Sequence, residues 1–367
     1  MRRDVLVAGG GPVGLYAAIE AARAGLDVAV LEARAGVLDK ACGEGLMPAA
    51  VAALERAGVQ VARRRPFVGI RYVEGERSAS GRFASGPGLG IRRTELHRAL
   101  LERARALGVP VLTHRVRDVR QDAAGVCVDG LEARYLLAAD GLRSGVRRRL
   151  GLQAPPRHRS RRYGLTQHFR VAPWTDHVEV HWHGLGEAYV TPVADDEVGV
   201  AFLFDERTRR RREASVPPML ARFPVLAARL AGAMACSTPH GAGPFEQRSR
   251  RVVDGRVLLV GDAAGYLDPI TGEGLRLGFL GAVAAVEAVR GGRVDGYAAA
   301  WRRLVRGYWW STSALLALRR SPLRPLMLPV LAAVPPLFGA ILSHLGDVAE
   351  DGNAAGAAAV DSLRPAL

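Results

Sequence analysis

Three glycines near the start of the chain stand at a spacing that suits phosphate chemistry. Gly9, Gly11 and Gly14 form a G-x-G-x-x-G pattern directly after an apolar run. In this pattern the first glycine permits a tight turn, the second lets a pyrophosphate approach the backbone, and the third lets a helix pack closely. Glu32 follows 18 residues after Gly14, where a carboxylate can accept hydrogen bonds from ribose hydroxyls. These residue types together predict a dinucleotide site.

The surrounding residues, DVLVAGGGPVGLYAAIEAARAGLDVAVLEAR, supply the elements that such a site needs. The pattern predicts a buried strand, the glycine turn, a helix to about Ala24, a helix stop at Gly25, and a second strand ending at Glu32. This order puts a helix N-terminus at the glycine turn, where its N–H groups and dipole favour an anion. The glycine spacing alone would be weak evidence, and the full order makes a bound dinucleotide the favoured interpretation.

Two later apolar runs end in aspartates, and these favour FAD over NAD as the dinucleotide. Asp262 and Asp140 each follow a strand-like run and are each next to a glycine. A carboxylate at the end of a strand can bind the hydroxyls of a polyol chain. Gly272 and Gly274 lie in a turn before a long apolar helix, whose first N–H groups suit the electron-rich edge of a reduced flavin.

The stretch LEARAGVLDKACGEGLMP, residues 31–48, contains the only lysine of the chain, Lys40. Cys42 and the glycines Gly43 and Gly45 follow it directly, after the strand that ends at Glu32. Three roles are open for this loop. The glycines can let the backbone approach a flavin ring, which is the favoured role. Lys40 can neutralise a reduced flavin or hold an oxidised halogen, and Cys42 can be a thiol on the substrate side.

These ordered motifs resemble the FAD-dependent oxidoreductases of the aromatic-hydroxylase type, in the branch near geranylgeranyl reductases and flavin-dependent halogenases. The resemblance covers nearly the first 300 residues. It implies that Gly9, Gly11, Gly14 and Glu32 hold the ADP half of a non-covalent FAD and that Asp262 binds its ribityl chain. It also implies further cofactor-binding residues: Arg34, Gly43, Arg93 in IRRTELHRALLERA, Val116 in the strand HRVRDV, Asp140, Gly272 and Gly274.

The fold class that this resemblance implies is α/β, with a Rossmann-like FAD-binding domain interleaved with an antiparallel β-sheet substrate domain. The FAD-binding domain takes residues 1–65, 91–160 and 246–300, and the substrate domain takes residues 66–90 and 161–245. Short alternating runs predict the substrate sheet: FVGIRYVEG, YGLTQHFRV, DHVEVHWHG, EAYVTPV and DEVGVAFLF. Residues 301–346 are predicted to form a helical cap, and residues 347–367 a weakly ordered tail.

The helical cap is apolar and interrupted by prolines. Residues 326–345 carry no formal charge, and this segment has about the length of a membrane span. Three prolines interrupt it, however. Short helices that cover a hydrophobic tunnel are therefore favoured over a crossing. Access for a lipidic substrate, or peripheral membrane contact through residues 301–346, remains an open alternative to plain core packing.

Composition limits the other classes of function. The formal net charge is +15, but the arginines are scattered, and we therefore expect no nucleic-acid partner. The three cysteines form no C-x-x-C pair, which fits a reducing compartment, and the start of the chain lacks a signal-peptide pattern, so a cytoplasmic location is expected. His181 and His183 share one strand face without a third ligand, and no metal is predicted.

The favoured activity is NAD(P)H-dependent monooxygenation of a hydrophobic aromatic or polyketide-like molecule. Halogenases and prenyl reductases carry a motif of aromatic residues that ends in proline, and residues 187–192 of this chain keep the proline, Pro192, without the tryptophans. Aromatic hydroxylases usually have a histidine at the position of Gly265. Because no second glycine motif is present, NAD(P)H is expected to visit the flavin transiently. The alternatives are a reductase of prenyl-type double bonds and a non-catalytic flavin-binding or membrane-adaptor protein.

Overall fold

The computed structural model describes residues 2–157, 161–211 and 213–347. Most of the predicted weakly ordered tail therefore lies outside the described residues. The helices are α1 (Pro12–Arg23), α2 (Pro48–Arg56), α3 (Arg93–Ala106), α4 (Gly145–Arg149), α5 (Glu206–Arg210), α6 (Val216–Leu220), α7 (Pro224–Arg229), α8 (Gly274–Arg290), α9 (Asp295–Arg320), α10 (Arg324–Ala333) and α11 (Pro335–Asp347). Short 3₁₀ turns cover Gly261–Ala263 and Pro269–Thr271.

The strands of the first half of the chain are β1 (Arg3–Ala8), β2 (Val28–Glu32), β3 (Gly45–Leu46), β4 (Arg65–Phe67), β5 (Gly69–Glu74), β6 (Arg77–Arg82), β7 (Gly88–Gly90), β8 (Val111–Thr113), β9 (Val119–Gln121), β10 (Val126–Val128) and β11 (Leu131–Ala138). Those of the second half are β12 (Gln153–Ala154), β13 (Arg162–Arg170), β14 (Val178–His183), β15 (Gly186–Ala194), β16 (Glu197–Asp205), β17 (Met234–Ala235), β18 (His240–Ala242), β19 (Gln247–Ser249), β20 (Val253–Asp254), β21 (Val257–Leu259) and β22 (Gly265–Tyr266).

One large sheet has the strand order β20-β21-β11-β1-β2-β8, and its five strands from β21 to β8 run parallel. The strands β1 and β2 are continuous apolar runs because helices cover both faces of a parallel sheet. Helices α1 and α8 pack together on this sheet, where Tyr16 stacks on Phe279 with ring centroids 4.4 Å apart. The carboxyl ends of β1, β2, β11 and β21 therefore meet at one edge, which is where ligands bind in such sheets.

A second large sheet has the order β17-β13-β16-β15-β14-β5-β6. The five runs that the sequence predicts as strands all belong to it. It is antiparallel except for the pair β14 and β5, which is parallel, so the sheet is mixed rather than wholly antiparallel. The predicted α/β class, with a helical segment after two sheet-based units, is confirmed.

The C-terminal helices α10 and α11 cover the edge of this second sheet. Phe338 and Leu342 are buried there, and an added Cβ at Gly81 of β6 would lie 2.7 Å from Leu342. Among the described residues, no single helix is long and apolar enough to cross a membrane. Helices α10 and α11 have the necessary length and composition only as a pair, and they meet at a bend of 104°.

Candidate functional site

The glycine turn after β1 has the geometry that its spacing predicts. Gly9 has φ +102°, a backbone conformation that favours glycine, and its N–H donates to the carbonyl oxygen of Leu31 at 2.8 Å. A Cβ at Gly14 would lie 1.8 Å from the carbonyl oxygen of Gly9, so α1 packs directly on the turn. At Gly11 the nearest atom to an added Cβ is Nη2 of Arg93, at 3.9 Å. The turn is therefore open beside a cation and a helix N-terminus, which suits a pyrophosphate.

Glu32 fixes this turn from the end of β2. Its Oε2 accepts the N–H of Gly10 at 2.8 Å, and its Oε1 accepts the N–H of Arg34 at 3.2 Å. A cavity of about 140 Å³ opens beside the carboxylate, and its wall includes Arg34, His97 and Thr113. Each carboxylate oxygen keeps a second lone pair. The carboxylate can thus hold the backbone turn and accept ribose hydroxyls in the cavity.

His97 of α3 is a residue of this cavity that the sequence analysis missed. It is buried, its Nε2 lies 2.8 Å from the carbonyl oxygen of Gly10, and its Nδ1 accepts the N–H of Leu38 at 3.4 Å. Burial lowers the pKa of His97, which fits a neutral ring that donates from Nε2. A signal was present in the sequence, since Arg93 and His97 are four residues apart and so share one helix face.

Arg93, Lys40 and Asp262 come together from three segments of the chain. Burial raises the pKa of Asp262, and the positive charges of Arg93, Lys40 and Arg147 act against this rise. Removal of water around the ammonium lowers the pKa of Lys40, as do the nearby charges of Arg93 and Arg34. Within the described residues, the buried Nε of Arg93 has no hydrogen-bond partner. A crevice with the unpartnered Nε of Arg93, the ammonium of Lys40 and one carboxylate fits the pyrophosphate and ribityl groups of FAD.

One carboxylate oxygen of Asp140 binds backbone N–H groups of α4, and only the other is available to the crevice. Its Oδ2 accepts the N–H groups of Gly145 and Val146 at 2.7 and 3.0 Å, which caps the N-terminus of α4. The buried Oδ1 has no partner among the residues that the structure describes, so it remains available for a ligand. The resemblance implies a cofactor role for Asp140, and the structure gives it a capping role as well.

Arg147 ties the two aspartate motifs together, a contact that nothing in the local sequence signals. Its side chain is fully buried. One guanidinium nitrogen donates to the carbonyl oxygens of Asp262 and Ala263, at 3.1 and 2.9 Å, and the other two nitrogens donate to Gln153, Leu142 and Gln247. The loop that carries Asp262 is thus held against α4 by one side chain.

The loop after Asp262 ends in the predicted turn at the start of α8. Gly272 has φ +73°, and Gly274 is the first residue of the helix. A Cβ at Gly274 would lie 3.2 Å from the ring of Tyr266. The turn therefore brings the N-terminus of a 17-residue helix to the edge of the crevice, in keeping with the role that its N–H groups are predicted to have.

A buried cluster of charges fixes this same loop to the second sheet. Glu187 of β15 pairs with Arg162 of β13 at 2.8 Å and also with Arg319 of α9. Arg162 pairs in turn with Asp268, again at 2.8 Å. All four side chains are at most 9% exposed. The cluster therefore joins the cofactor loop, the substrate sheet and α9, although its members are far apart in sequence.

In the loop of Lys40 and Cys42, the left-handed backbone position is not one of the two glycines, and the predicted approach of the loop to a flavin ring stays a prediction. Gly43 does not have a positive φ, and a Cβ there would meet no described protein atom within 4 Å. The left-handed residue of the turn is Glu44, with φ +60°. Burial raises the pKa of the Cys42 thiol, and the carboxylate of Glu44 raises it further against the opposing charge of Arg93. Cys42 therefore stays protonated at neutral pH.

Val116 is not among the residues that line the cavity beside Glu32, and its predicted contact with adenine stays a prediction. Residues 114–118 form a connection between β8 and β9 rather than the strand that HRVRDV suggests. The cavity beside Glu32 is lined by Val111, Leu112 and Thr113 of β8 instead. The strand ends earlier because His114 and the backbone of Arg117 bind Asp129 of the neighbouring hairpin.

Comparison with known proteins identifies the family of this chain. A family described as FAD binding domain matches residues 2–288. The chain is similar to a menaquinone reductase of Mycolicibacterium smegmatis, with 31% identity over 84% of this chain and 81% of the relative. It is 30% identical to digeranylgeranylglycerophospholipid reductase 1 of Methanopyrus kandleri, over 84% of this chain and 86% of the relative.

Other relatives carry out different flavin chemistry. A para-nitrophenol 4-monooxygenase of Pseudomonas is 30% identical over 78% of this chain and 77% of the relative. The solved structure of the flavin-dependent brominase Bmp2 superposes with a TM-score of 0.82, over 94% of each chain and at 18% identity, which shows the common fold. With the family match spanning most of the chain, the protein belongs to the FAD-binding-domain family and is an FAD-dependent oxidoreductase.

Proposed function

We propose that this protein uses electrons from NAD(P)H to reduce a carbon–carbon double bond in a long-chain, prenylated lipid. The proposal of a lipid substrate rests on one observation: α10 and α11 are apolar on both faces. On the inner face, Phe338 packs on Tyr72 with ring centroids 4.8 Å apart, beside the sheet that is expected to line the substrate pocket. The outer face exposes six large apolar side chains between 39 and 60%: Leu323, Leu326, Val330, Val334, Leu337 and Ile341.

A helix that is apolar all round is stable when both of its faces meet apolar surroundings. The sheet supplies them on one side, and a lipid phase would supply them on the other. A substrate with a long apolar chain could then move from the lipid phase along α10 and α11 to the substrate sheet without crossing water. Two of the relatives are named as reductases of menaquinone and of a digeranylgeranyl lipid, and both compounds carry prenyl chains.

The chain offers a proton donor for the reduction. Bound FAD, once reduced, supplies a hydride to an acceptor, and saturation of a double bond also needs a proton at the second carbon. The Cys42 thiol lies in the loop that follows the cofactor strand β2, and its raised pKa keeps the proton in place at neutral pH. Lys40 belongs to the same loop, and its ammonium lies near Arg93 and Asp262, where a positive charge would balance negative charge on a reduced cofactor.

Replacement of Cys42 by serine should slow the reduction by roughly 10²-fold or more, because a serine hydroxyl is a far weaker acid in the same place. The experiment incubates FAD-loaded protein and NAD(P)H without oxygen, with menaquinone or a geranylgeranyl lipid in detergent micelles. The extracted lipid is reoxidised in air, which returns any quinol to the quinone, and a remaining gain of two hydrogens in the prenyl chain is measured by mass spectrometry. Cys127→Ser is the matched control and should retain full activity, since Cys127 lies on β10, away from the crevice.

Oxygen insertion is the second candidate function, and the monooxygenase relative at 30% identity favours it. The same assay separates the two reactions. A product heavier by one oxygen, formed only after air is admitted, would establish hydroxylation and contradict the reductase. Oxidation of NAD(P)H that no long-chain substrate stimulates would contradict both.

The exposed face of α10 and α11 should also bind lipid bilayers. Residues 296–346 include no acidic residue and four exposed arginines, Arg302, Arg303, Arg306 and Arg320, so anionic headgroups are the expected counterpart. Leu326→Glu combined with Val330→Glu should weaken sedimentation with phosphatidylglycerol vesicles by at least about tenfold, because two apolar contacts are lost and two negative charges are added.

The matched control for vesicle binding is Leu185→Glu combined with Val225→Glu. These two side chains are also exposed, at 41 and 40%, but lie in the substrate sheet region rather than on α10. The control should bind vesicles as the unmodified protein does. Equal binding by both double variants would show that this face does not contact the bilayer.

A further inference from the structure

Glu44 has a backbone conformation that a residue with a side chain rarely adopts. Its φ of +60° lies in the left-handed region, which costs free energy for any residue other than glycine. Glycine stands on both sides of it and would fit this position without strain. The side chain of Glu44 is only 4% exposed. A strained, buried glutamate between two glycines points to a function for its carboxylate.

The carboxylate of Glu44 is the inner end of a chain of hydrogen bonds. Its Oε2 lies 2.6 Å from Nε2 of His168, and Nδ1 of His168 lies 2.8 Å from Oγ of Ser237. The backbone N–H of His168 also donates to that Oγ, at 3.0 Å. Since a carboxylate oxygen only accepts, Nε2 carries the proton that is donated to Glu44. In that tautomer Nδ1 accepts the hydroxyl hydrogen of Ser237, whose oxygen also accepts the backbone N–H of His168.

The neighbouring strand makes room for this contact. Gly199 of β16 is the residue opposite His168 in the sheet. A Cβ at Gly199 would lie 2.9 Å from Oε2 of Glu44, so a larger residue would displace the carboxylate. The other oxygen, Oε1, accepts the N–H of Arg93 at 2.7 Å. The carboxylate is therefore held between the sheet and the first turn of α3.

The left-handed backbone of Glu44 acts directly on the thiol, because the N–H of Glu44 donates to Sγ of Cys42 at 3.4 Å. We propose that His168 and Ser237 are positioning residues, which hold Glu44 in its left-handed conformation and thereby fix the Cys42 thiol in the cofactor crevice. The importance of that thiol for turnover rests on the proposed function. The position of the thiol follows from the contacts of Glu44 alone. The side chains of His168 and Ser237 bind each other and Glu44, and only Glu44 binds the thiol in turn, so both residues act through Glu44.

The test measures the alkylation rate of Cys42 by iodoacetamide in the FAD-loaded protein, at one fixed pH. Quantitative mass spectrometry of the peptides lets Cys127 serve as the internal standard. We expect His168→Ala to raise the rate at Cys42 by at least about fivefold, because the released loop exposes the thiol. His168→Gln should stay near the original rate, since an amide can donate to Glu44 and accept from Ser237.

A second histidine supplies the matched control. His181 is buried to the same extent in the same sheet, and its Nε2 lies 3.1 Å from a buried carboxylate oxygen of Glu179. His181→Ala should leave the rate at Cys42 unchanged. In turnover, His168→Ala should lower kcat with little change in KM or in FAD affinity, and His168→Gln should restore most of it.

Two results would overturn this inference. An unchanged Cys42 rate in His168→Ala would mean that the loop keeps its shape without the network. An equally raised rate in His168→Gln would mean that hydrogen bonding alone does not hold Glu44. If no prenylated lipid is reduced but the alkylation pattern is as expected, the proposed reaction is wrong and the positioning network still stands.

Discussion

Gly14→Ala is expected to lower the affinity for FAD by about tenfold to a hundredfold. The added Cβ would lie 1.8 Å from the carbonyl oxygen of Gly9, which is backbone and cannot rotate away. Helix α1 must therefore move off the turn, at a cost of about 1–3 kcal/mol typical of overpacking. Because the turn and the helix N-terminus together form the expected pyrophosphate site, this strain should appear as lost cofactor affinity. Titration of the cofactor-free protein with FAD, followed by flavin fluorescence, measures it.

Gly307→Ala is the matched control, because Gly307 is also a helical glycine but has open space around its Cβ position. This variant should bind FAD normally and gain about 0.5–1 kcal/mol of stability from the better helix former. If Gly14→Ala and Gly307→Ala bind FAD with equal affinity, the close packing of α1 on the turn is not what maintains the site.

Glu187→Ala should lower the free energy of unfolding by about 3–5 kcal/mol, the largest stability effect that we expect. Glu187 is fully buried and pairs with both Arg162 and Arg319. Its removal takes the paired carboxylate from the buried guanidinium of Arg319, while Arg162 keeps its pair with Asp268. Urea unfolding of the FAD-loaded protein, followed by circular dichroism, measures the loss.

Charge balance should restore part of this stability. In the double variant Glu187→Leu with Arg319→Leu, the remaining pair of Arg162 and Asp268 is neutral overall, so the double variant should be more stable than Glu187→Ala. The surface control is Glu95→Ala, which breaks the exposed pair with Arg98 and should cost less than about 1 kcal/mol. A double variant as unstable as the sum of its single changes would show that the loss comes from packing rather than from charge.

The sequence alone predicts the FAD-binding unit well because its signals are local. The glycine spacing, the helix from Pro12 and the strand that ends at Glu32 all follow from residues within 30 positions of one another. Backbone preference and apolar period act over that distance, so no long-range contact is needed to predict them. The same reason explains why the five runs of the second sheet are correctly predicted as strands.

Local patterns fail where a conformation depends on a distant partner. The sequence directs attention to Gly43 as the special backbone position, but the left-handed residue is Glu44. The carboxylate of Glu44 compensates for its strain by binding His168, which lies 124 positions further along the chain. Short-range preferences would assign the left-handed conformation to a glycine. Only the docking of the loop on β13 explains why Glu44 adopts it instead.

By itself the sequence determined the α/β class, the FAD-binding family and the form of the glycine turn at Gly9, Gly14 and Glu32, since these depend on spacing and periodicity. Tertiary structure alone decided which polar side chains are buried together. Arg147 holds the loop of Asp262, and Glu187 joins α9 to the cofactor loop. Such contacts depend on how two sheets and a late helix pack. A buried charge is stable only beside its partner, and that partner can come from any part of the chain.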